Sequence, residues 1–242
     1  MSSGTLQRFY QGQDVPLSSG LDRARRQARM LAGVLAGLGQ GVIVDVGCGD
    51  GTATAEAVRV NPGHRVLALD WSPQSLARAS AHGLTLARAT VESPGLPIRS
   101  AAADVVIMSE LIEHLVDTDT ALDEAWRVLK PGGTLLLSTP NLAAWYNRGL
   151  LAVGIQPVFS EVSLRGVYGR PGNQVAGHLR IFTRRALAGL LAARGFADIE
   201  LAGARYHDVP RLLRPVDLVF CRWPSAASIL LVRARKPKPV TV

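Results

Sequence analysis

Val42-Ile43-Val44-Asp45-Val46-Gly47-Cys48-Gly49-Asp50-Gly51-Thr52 is the stretch that decides how this chain reads. Its apolar run has the Val and Ile content of a strand buried on both faces. The run ends in Gly47, Gly49 and Gly51, alternate positions that permit a sharp turn and a close backbone approach to a ligand. A helix over 52–60 follows, and its first N–H groups have no partner inside the helix. Strand, bare loop and helix start together form a cradle of nucleotide shape. The glycine order is G-x-G-x-G, not the G-x-G-x-x-G that seats a pyrophosphate. Asp45 and Asp50 flank the loop, and their charge suits a ligand with a cationic end, such as an ammonium or a sulfonium.

Working outward, the pattern predicts a helix from Leu17 to Leu38, with Ser18 or Ser19 as cap and Met30, Leu31, Val34, Leu35 and Leu38 on one face. Strands are expected at 65–70, 84–89, 103–108 and 134–138. Helices are expected at 72–81 and at 118–129, the second stopped by Pro131-Gly132-Gly133. Beyond Pro140 come a helix over 141–152, a loop-rich insertion over 155–177 and a helix over 183–194, capped by Thr183 and stopped by Gly195. Two antiparallel strands, 196–201 and 226–235, close the pattern, with Arg233 to Lys238 running into a frayed basic tail.

Alternating strands and helices imply an α/β fold. The expected architecture is a Rossmann-like, seven-stranded, mostly parallel sheet with helices on both faces, the last strand antiparallel, plus a lid-like insertion. One domain covers 1–242: an N-terminal helical segment (1–40), a cofactor-binding core (41–140), a substrate-lid insertion (141–182) and a C-terminal helix with strands (183–242).

Hydrophobic residues make up 48% of the 242, enough for a sizeable core, and the formal charge is +8. The cations are nearly all arginines, with Lys130, Lys236 and Lys238 the only lysines. They are scattered, and aromatics are only 5%, so solvated faces explain the charge better than a nucleic-acid groove. Two cysteines, Cys48 and Cys221, define neither a disulfide framework nor a metal spacing, which makes a reducing cytoplasmic setting the simplest expectation. Met1 to Asp14 lacks the apolar core of a signal peptide, and no apolar run nears the roughly 20 residues that span a bilayer. The most apolar segment, Leu142 to Phe159, has the composition for peripheral membrane contact but few cations to support it.

In open parallel sheets the ligand lies beyond the carboxyl ends of the strands. Gly47 to Gly51, Asp70, Thr90-Val91-Glu92 and Ser109-Glu110 should therefore share one cleft. Asp70 ends the second strand, where a carboxylate accepts from a ribose diol; the competing role is a helix cap. Glu110, Glu113 and His114 stand at i, i+3 and i+4, one side of a helical turn.

Downstream motifs make the reading specific. Glu110-Leu111-Ile112-Glu113-His114-Leu115 is an E-x-x-E-H-L run. Ala125-Trp126-Arg127-Val128-Leu129-Lys130-Pro131-Gly132-Gly133 and Ser138-Thr139-Pro140-Asn141 follow it in order. With the D-x-G-x-G-x-G loop, the chain from Val42 to Asn141 resembles the class I S-adenosylmethionine-dependent methyltransferases of small-molecule type, and is similar to the quinone-precursor O-methyltransferases. A weaker echo lies between His178 and Phe196.

The resemblance implies S-adenosylmethionine as cofactor. Asp45, Gly47 and Gly49 would line its methionine part, with Cys48 and Ser109 in the same site. Asp70 would hold the ribose, Trp71 would cover the adenine, and Thr90 and Val91 would flank it. Many relatives have Asp where Thr90 stands. The resemblance further implies that Glu110, Glu113 and His114 bind a divalent cation, the alternative being an ordinary acidic helix start. Glu110, His114 and His178 are the catalytic candidates. His178, in Gly177-His178-Leu179-Arg180-Ile181-Phe182-Thr183, serves either as a base or as a loop anchor. The implied activity is methyl transfer to a small-molecule acceptor, a hydroxyl of a phenolic, lipid-linked or glycosidic compound. Competing readings are an NAD-binding oxidoreductase, an RNA methyltransferase, for which an N-P-P-Y element after strand four is missing, and a cofactor-binding module without catalysis.

Overall fold

A computed structural model describes residues 21–239 except 61, 93 and 208. In chain order the elements are α1 (Leu21–Leu35), β1 (Val42–Val46), α2 (Thr52–Val60), β2 (Arg65–Asp70), α3 (Pro73–Ala79), β3 (Thr85–Arg88) and β4 (Ala103–Ser109). They continue with α4 (Thr118–Val128), β5 (Leu129–Pro140), α5 (Trp145–Ala152), α6 (Arg184–Ala193), β6 (Ala197–Ala204), α7 (Arg214–Phe220) and β7 (Ile229–Arg235). The expected start of the first helix, and the polar stretch before it, lie outside the described residues.

The sheet has seven strands in the order β3-β2-β1-β4-β5-β7-β6. β1 to β5 pair in parallel, while β7 is antiparallel to both β5 and β6. The expected α/β sheet with one reversed strand is present. Side chains alternate across a strand, and the core records it. Val44, Val106, Leu135 and Leu137 join one buried cluster with Leu122 of α4 and Leu187 of α6. Their strand neighbours Ile43, Val105, Ile107 and Leu136 join a second cluster with Leu31 and Leu35 of α1. Both faces are therefore covered by helices, the reason the strands read as continuous apolar runs.

Several boundaries differ from expectation. α1 ends at Leu35, and Leu38, expected on its apolar face, is exposed. Pro131-Gly132-Gly133 does not stop the preceding helix; that helix ends at Val128, and these residues lie within β5. Leu129 pairs with Ala103, and pairing then shifts to Val105 with Thr134. Gly132, at φ +83°, makes the detour, and its N–H donates to the Lys236 carbonyl at 2.8 Å. Nor is the basic tail frayed. Lys236 Nζ donates to the carbonyls of Trp126 and Leu129 at 2.7 and 2.8 Å and lies 5.1 Å from the Trp126 ring centre. α7 had no sequence signal, whereas the Thr183 cap and the Gly195 stop of α6 occur as read.

Gly203 shows how tightly the reversed pair is packed. A Cβ there would sit 2.4 Å from the Cys221 carbonyl oxygen and 2.5 Å from the Ala227 Cβ. The clash is purely steric, since Gly203 is not among the residues with positive φ. Gly203→Ala should destabilise the fold by about 1–3 kcal/mol, read as a lower denaturation midpoint with unchanged slope. An unchanged midpoint would show that the Cys221–Ala227 turn yields.

Candidate active site

β1 delivers the glycine loop to the carboxyl edge of the sheet, and the loop is fastened to β2. The N–H groups of Gly47 and Cys48 both donate to the Leu69 carbonyl, at 2.8 and 2.9 Å. Gly49 N–H donates to Asp70 Oδ2 at 2.9 Å, and Ser72 N–H donates to Asp70 Oδ1 at 2.8 Å. Gly47, Gly49 and Gly51 all have positive φ, which residues with a Cβ rarely adopt. At Gly47 a Cβ would meet Leu111, and at Gly51 it would meet Ala79. At Gly49 it would meet nothing within 4 Å, so the open side of the loop is over Gly49.

The carboxylates around the loop have separate tasks. Asp50 accepts from Thr52 N–H at 3.2 Å and from its hydroxyl at 2.6 Å, which closes the first turn of α2. Asp70 does not cap α3; Ser72 does, accepting from Ser75 N–H at 3.2 Å. Asp45 is buried, and its Oδ2 accepts from the Thr54 hydroxyl. Desolvation, with Asp70 nearby, raises its pKa to about 6. Asp45 Oδ1 and Gln27 Nε2 are buried without hydrogen-bond partners, and both residues line one small cavity of about 10 Å³ under α1. Ser109 donates to Gln27 Oε1 at 2.8 Å, which ties β4 to α1. Cys48 is buried, and its thiol pKa is driven far up by burial and by Asp45, so it is no nucleophile.

The adenine-side candidates stand at the ends of β2 and β3. The Trp71 carbonyl accepts from Arg88 Nε at 2.9 Å. Thr90 is half-buried, and its hydroxyl accepts from Glu92 N–H at 3.4 Å. Val91 packs into the larger core cluster. Glu92 accepts from the N–H groups of Val116 and Asp117, both at 3.0 Å, which ties this edge to the start of α4.

The E-x-x-E-H run does not form the helical turn that its spacing suggested. A 3₁₀ turn covers only Ile112–His114, and Glu110 precedes it at φ +51°. The Glu110 N–H is held by the Ser138 carbonyl at 2.9 Å, and its carboxylate lies 3.8 Å from Arg23 Nε. Glu110 thus leaves the cluster, and His178 enters it. Ligand atoms of Glu113, His114 and His178 all lie within 4.8 Å of one another. Glu113 is fully buried; Oε2 accepts from Thr139 at 3.0 Å, while Oε1 has no hydrogen-bond partner. Burial and Glu110 push the Glu113 pKa well up. The two imidazole rings lie 4.9 Å apart, with His114 Nδ1 3.2 Å from the Gly177 carbonyl and His178 Nδ1 3.1 Å from that of Phe159. Burial lowers their pKa values to about 3 and about 4, so both rings are neutral at pH 7.

Glu161 was invisible in the sequence, yet it builds this corner. Its carboxylate accepts from the N–H groups of Ala176, Gly177 and His178 at 2.6–3.0 Å. Arg170 closes the set at 3.1 Å, both side chains being almost fully buried. The Glu113 carbonyl then accepts from Leu179 and Arg180 N–H at 2.8 and 3.1 Å. A carboxylate in a glycine-rich segment is the only signal the sequence offered.

A family profile described as a methyltransferase domain matches residues 44–137. Over 99 residues the chain is 34% identical to a probable S-adenosylmethionine-dependent methyltransferase of Mycolicibacterium smegmatis, covering 41% of this chain and 38% of that protein. It is 32% identical over 103 residues to a ubiquinone biosynthesis O-methyltransferase of Cereibacter sphaeroides, covering 41% of each. The chain thus spans about four-tenths of the length of the curated relatives it matches. An S-adenosylmethionine-dependent methyltransferase from Mesorhizobium loti shares the fold, with a TM-score of 0.58 at 24% identity over 89% of this chain and all of that one.

The buried Asp45 carboxyl generates a stability test. Its folded pKa, about 6, exceeds the unfolded value near 3.8, so the folded state binds more protons between them. Wild-type stability relative to Asp45→Asn should therefore fall by roughly 3 kcal/mol as pH rises from about 4 to about 7. Parallel urea titrations of both proteins check this, and a pH-independent difference would show that Asp45 is solvated.

Proposed function

We propose that the chain is a class I S-adenosylmethionine-dependent methyltransferase and that it transfers a methyl group to a hydroxyl of a small, partly apolar acceptor. The observation that carries the reading is the Asp70 carboxylate fixed against the N–H of Gly49, with open space over that glycine. When bound, S-adenosylmethionine supplies an electrophilic methyl on a charged sulfonium leaving group. Asp70 retains acceptor lone pairs for a ribose diol at the end of β2. Gly47, Cys48 and Gly49 present backbone to the methionine portion, and the unpartnered oxygen of Asp45 and amide of Gln27 provide polar anchors beneath it. Ser109 orients Gln27. Trp71, Thr90 and Val91 border the adenine side. The residues present fit the group.

For the acceptor, the segment 141–182 serves as the lid. Phe159 packs edge-on to His178 at 5.7 Å and to Tyr206 at 4.8 Å, an aromatic wall beside the histidine pair. A phenolic, lipid-linked or glycosidic hydroxyl suits that wall, and a curated relative is a ubiquinone biosynthesis O-methyltransferase. His178 is a weak base while buried, because its pKa is about 4. Alignment and exclusion of water therefore form the larger contribution of the protein to rate.

Glu113, His114 and His178 fit a divalent cation. Each ring is oriented through Nδ1 at a backbone carbonyl, an arrangement common to metal-bound imidazoles, and Glu113 Oε1 is an unsatisfied buried acceptor. Two imidazoles and a carboxylate favour a first-row transition ion over Mg²⁺. A cation there would lower the pKa of an acceptor hydroxyl, leaving Glu110 outside the ligand set to pair with Arg23.

Two measurements test the reading. By titration calorimetry S-adenosylmethionine should bind and NAD should not, and Asp70→Ala should weaken binding roughly 100-fold. NAD binding in place of S-adenosylmethionine would return the chain to the oxidoreductase reading. Mn²⁺ or Zn²⁺ should bind the metal-free protein at one equivalent, and Glu113→Gln should abolish that binding. No uptake of either ion would remove the cation from the mechanism.

A further inference from the structure

The connection between β6 and β7 carries an amphipathic surface that methyl transfer does not require. Its central run is Arg211-Leu212-Leu213-Arg214-Pro215-Val216-Asp217-Leu218-Val219-Phe220-Cys221-Arg222-Trp223. Leu212 is 92% exposed and Trp223 55%, and Leu213, Val216, Leu218 and Val219 are exposed with them. Large side chains this open, grouped on one short segment, mark a contact surface and not scattered surface residues. Arg211, Arg214 and Arg222 are exposed among them.

The charge on this segment is one-sided for a visible reason. Asp217, the only acidic residue between Val209 and Ala226, is turned inward and is 1% exposed. It accepts from Trp145 Nε1 at 3.1 Å and from the Ser228 hydroxyl at 2.5 Å. The outer face of the segment therefore offers apolar side chains and cations only. Trp145 stacks on Phe220 at 5.6 Å, and an open groove of about 310 Å³ lined by Trp145, Arg148, Phe220 and Trp223 extends the surface towards α5.

Topology sets its direction. Ile229 pairs with Pro140 of β5 and with Ala204 of β6. The β6–β7 connection therefore emerges at the carboxyl edge of the parallel strands, the edge that bears the glycine loop.

We propose that this segment docks the protein on an anionic phospholipid surface, with Leu212, Val219 and Trp223 entering the interface and Arg211, Arg214 and Arg222 meeting the headgroups. Interleaved apolar and cationic side chains, with a Trp at the boundary, match that interface chemically. A second copy of the chain matches it less well. A two-fold contact would bring the arginines of both copies together, with no outward carboxylate on the segment to offset them. Leu142 to Phe159 has a single cation, Arg148, in the sequence; the fold adds others from a segment some sixty residues later.

The test is co-sedimentation of the full chain with vesicles of phosphatidylglycerol and of phosphatidylcholine. Binding to the anionic vesicles should exceed binding to the zwitterionic ones at least tenfold and weaken as salt is raised. Each arginine replaced by Gln should lower affinity roughly fivefold, and the double variant Leu212→Asp, Val219→Asp should lose binding. Both positions are exposed, so the variant keeps its fold, and titration with S-adenosylmethionine provides a check separate from vesicle binding. Equal binding to both vesicles, or undiminished binding by the double variant, overturns the proposal. So does a dimer in sedimentation equilibrium that the double variant disperses, because the surface would then belong to a second copy.

Discussion

The carboxylate of Asp70 accepts from the N–H of Gly49 with one oxygen and from the N–H of Ser72 with the other. Through that one group the loop after β1 and the turn after β2 become a single rigid edge. A glycine loop unconstrained in this way would have more conformations to lose on binding a ligand than any other segment of its length. The carboxylate is itself buried, a cost that the two amide donors offset. The open space over Gly49, the burial of Asp45 beneath the loop and the position of the proposed cofactor site all depend on this arrangement.

A second constraint operates at the Glu113–His178 corner, where one carboxylate and one backbone carbonyl gather consecutive amides. Glu161 holds Ala176, Gly177 and His178 by their N–H groups, and the carbonyl of Glu113 takes those of Leu179 and Arg180. A loop without regular structure is thereby held by the N–H groups of five consecutive residues, Ala176 to Arg180, and His178 is carried to His114. Burial strips both rings of charge, which suits an imidazole that ligates or orients and not one that shuttles protons at neutral pH. The histidine pair is thus better placed than equipped for general-base work.

The elements that were readable from sequence are those with a short-range cause. β1, β2 and β4 are apolar runs bounded by glycine, aspartate or serine, and the Thr183 cap and Gly195 stop need only their own neighbours. The failures have long-range causes. Pro131-Gly132-Gly133 has the local chemistry of a helix stop, but pairing with Lys236 and the shift opposite β4 draw it into β5. The basic tail looks frayed until the Trp126 and Leu129 carbonyls receive Lys236. α7 has a proline in its first turn and few strong helix formers, and its own inward Asp217 anchors it to Trp145 of α5 and to Ser228 before β7.

By itself the sequence determined the α/β class, the reversal of the last strand in the chain and the glycine cradle with Asp45 and Asp70, because continuous apolar runs and positive-φ glycines act over a few residues. Only the tertiary structure decided which groups meet beyond that range. It removed Glu110 from the expected trio by a left-handed turn and put His178, sixty-four residues after His114, in its place. It also turned Asp217 inward and left a cationic, apolar face outward. Such juxtapositions are set by loop closure and by buried carboxylates finding amide donors, neither of which leaves a periodic trace in the chain.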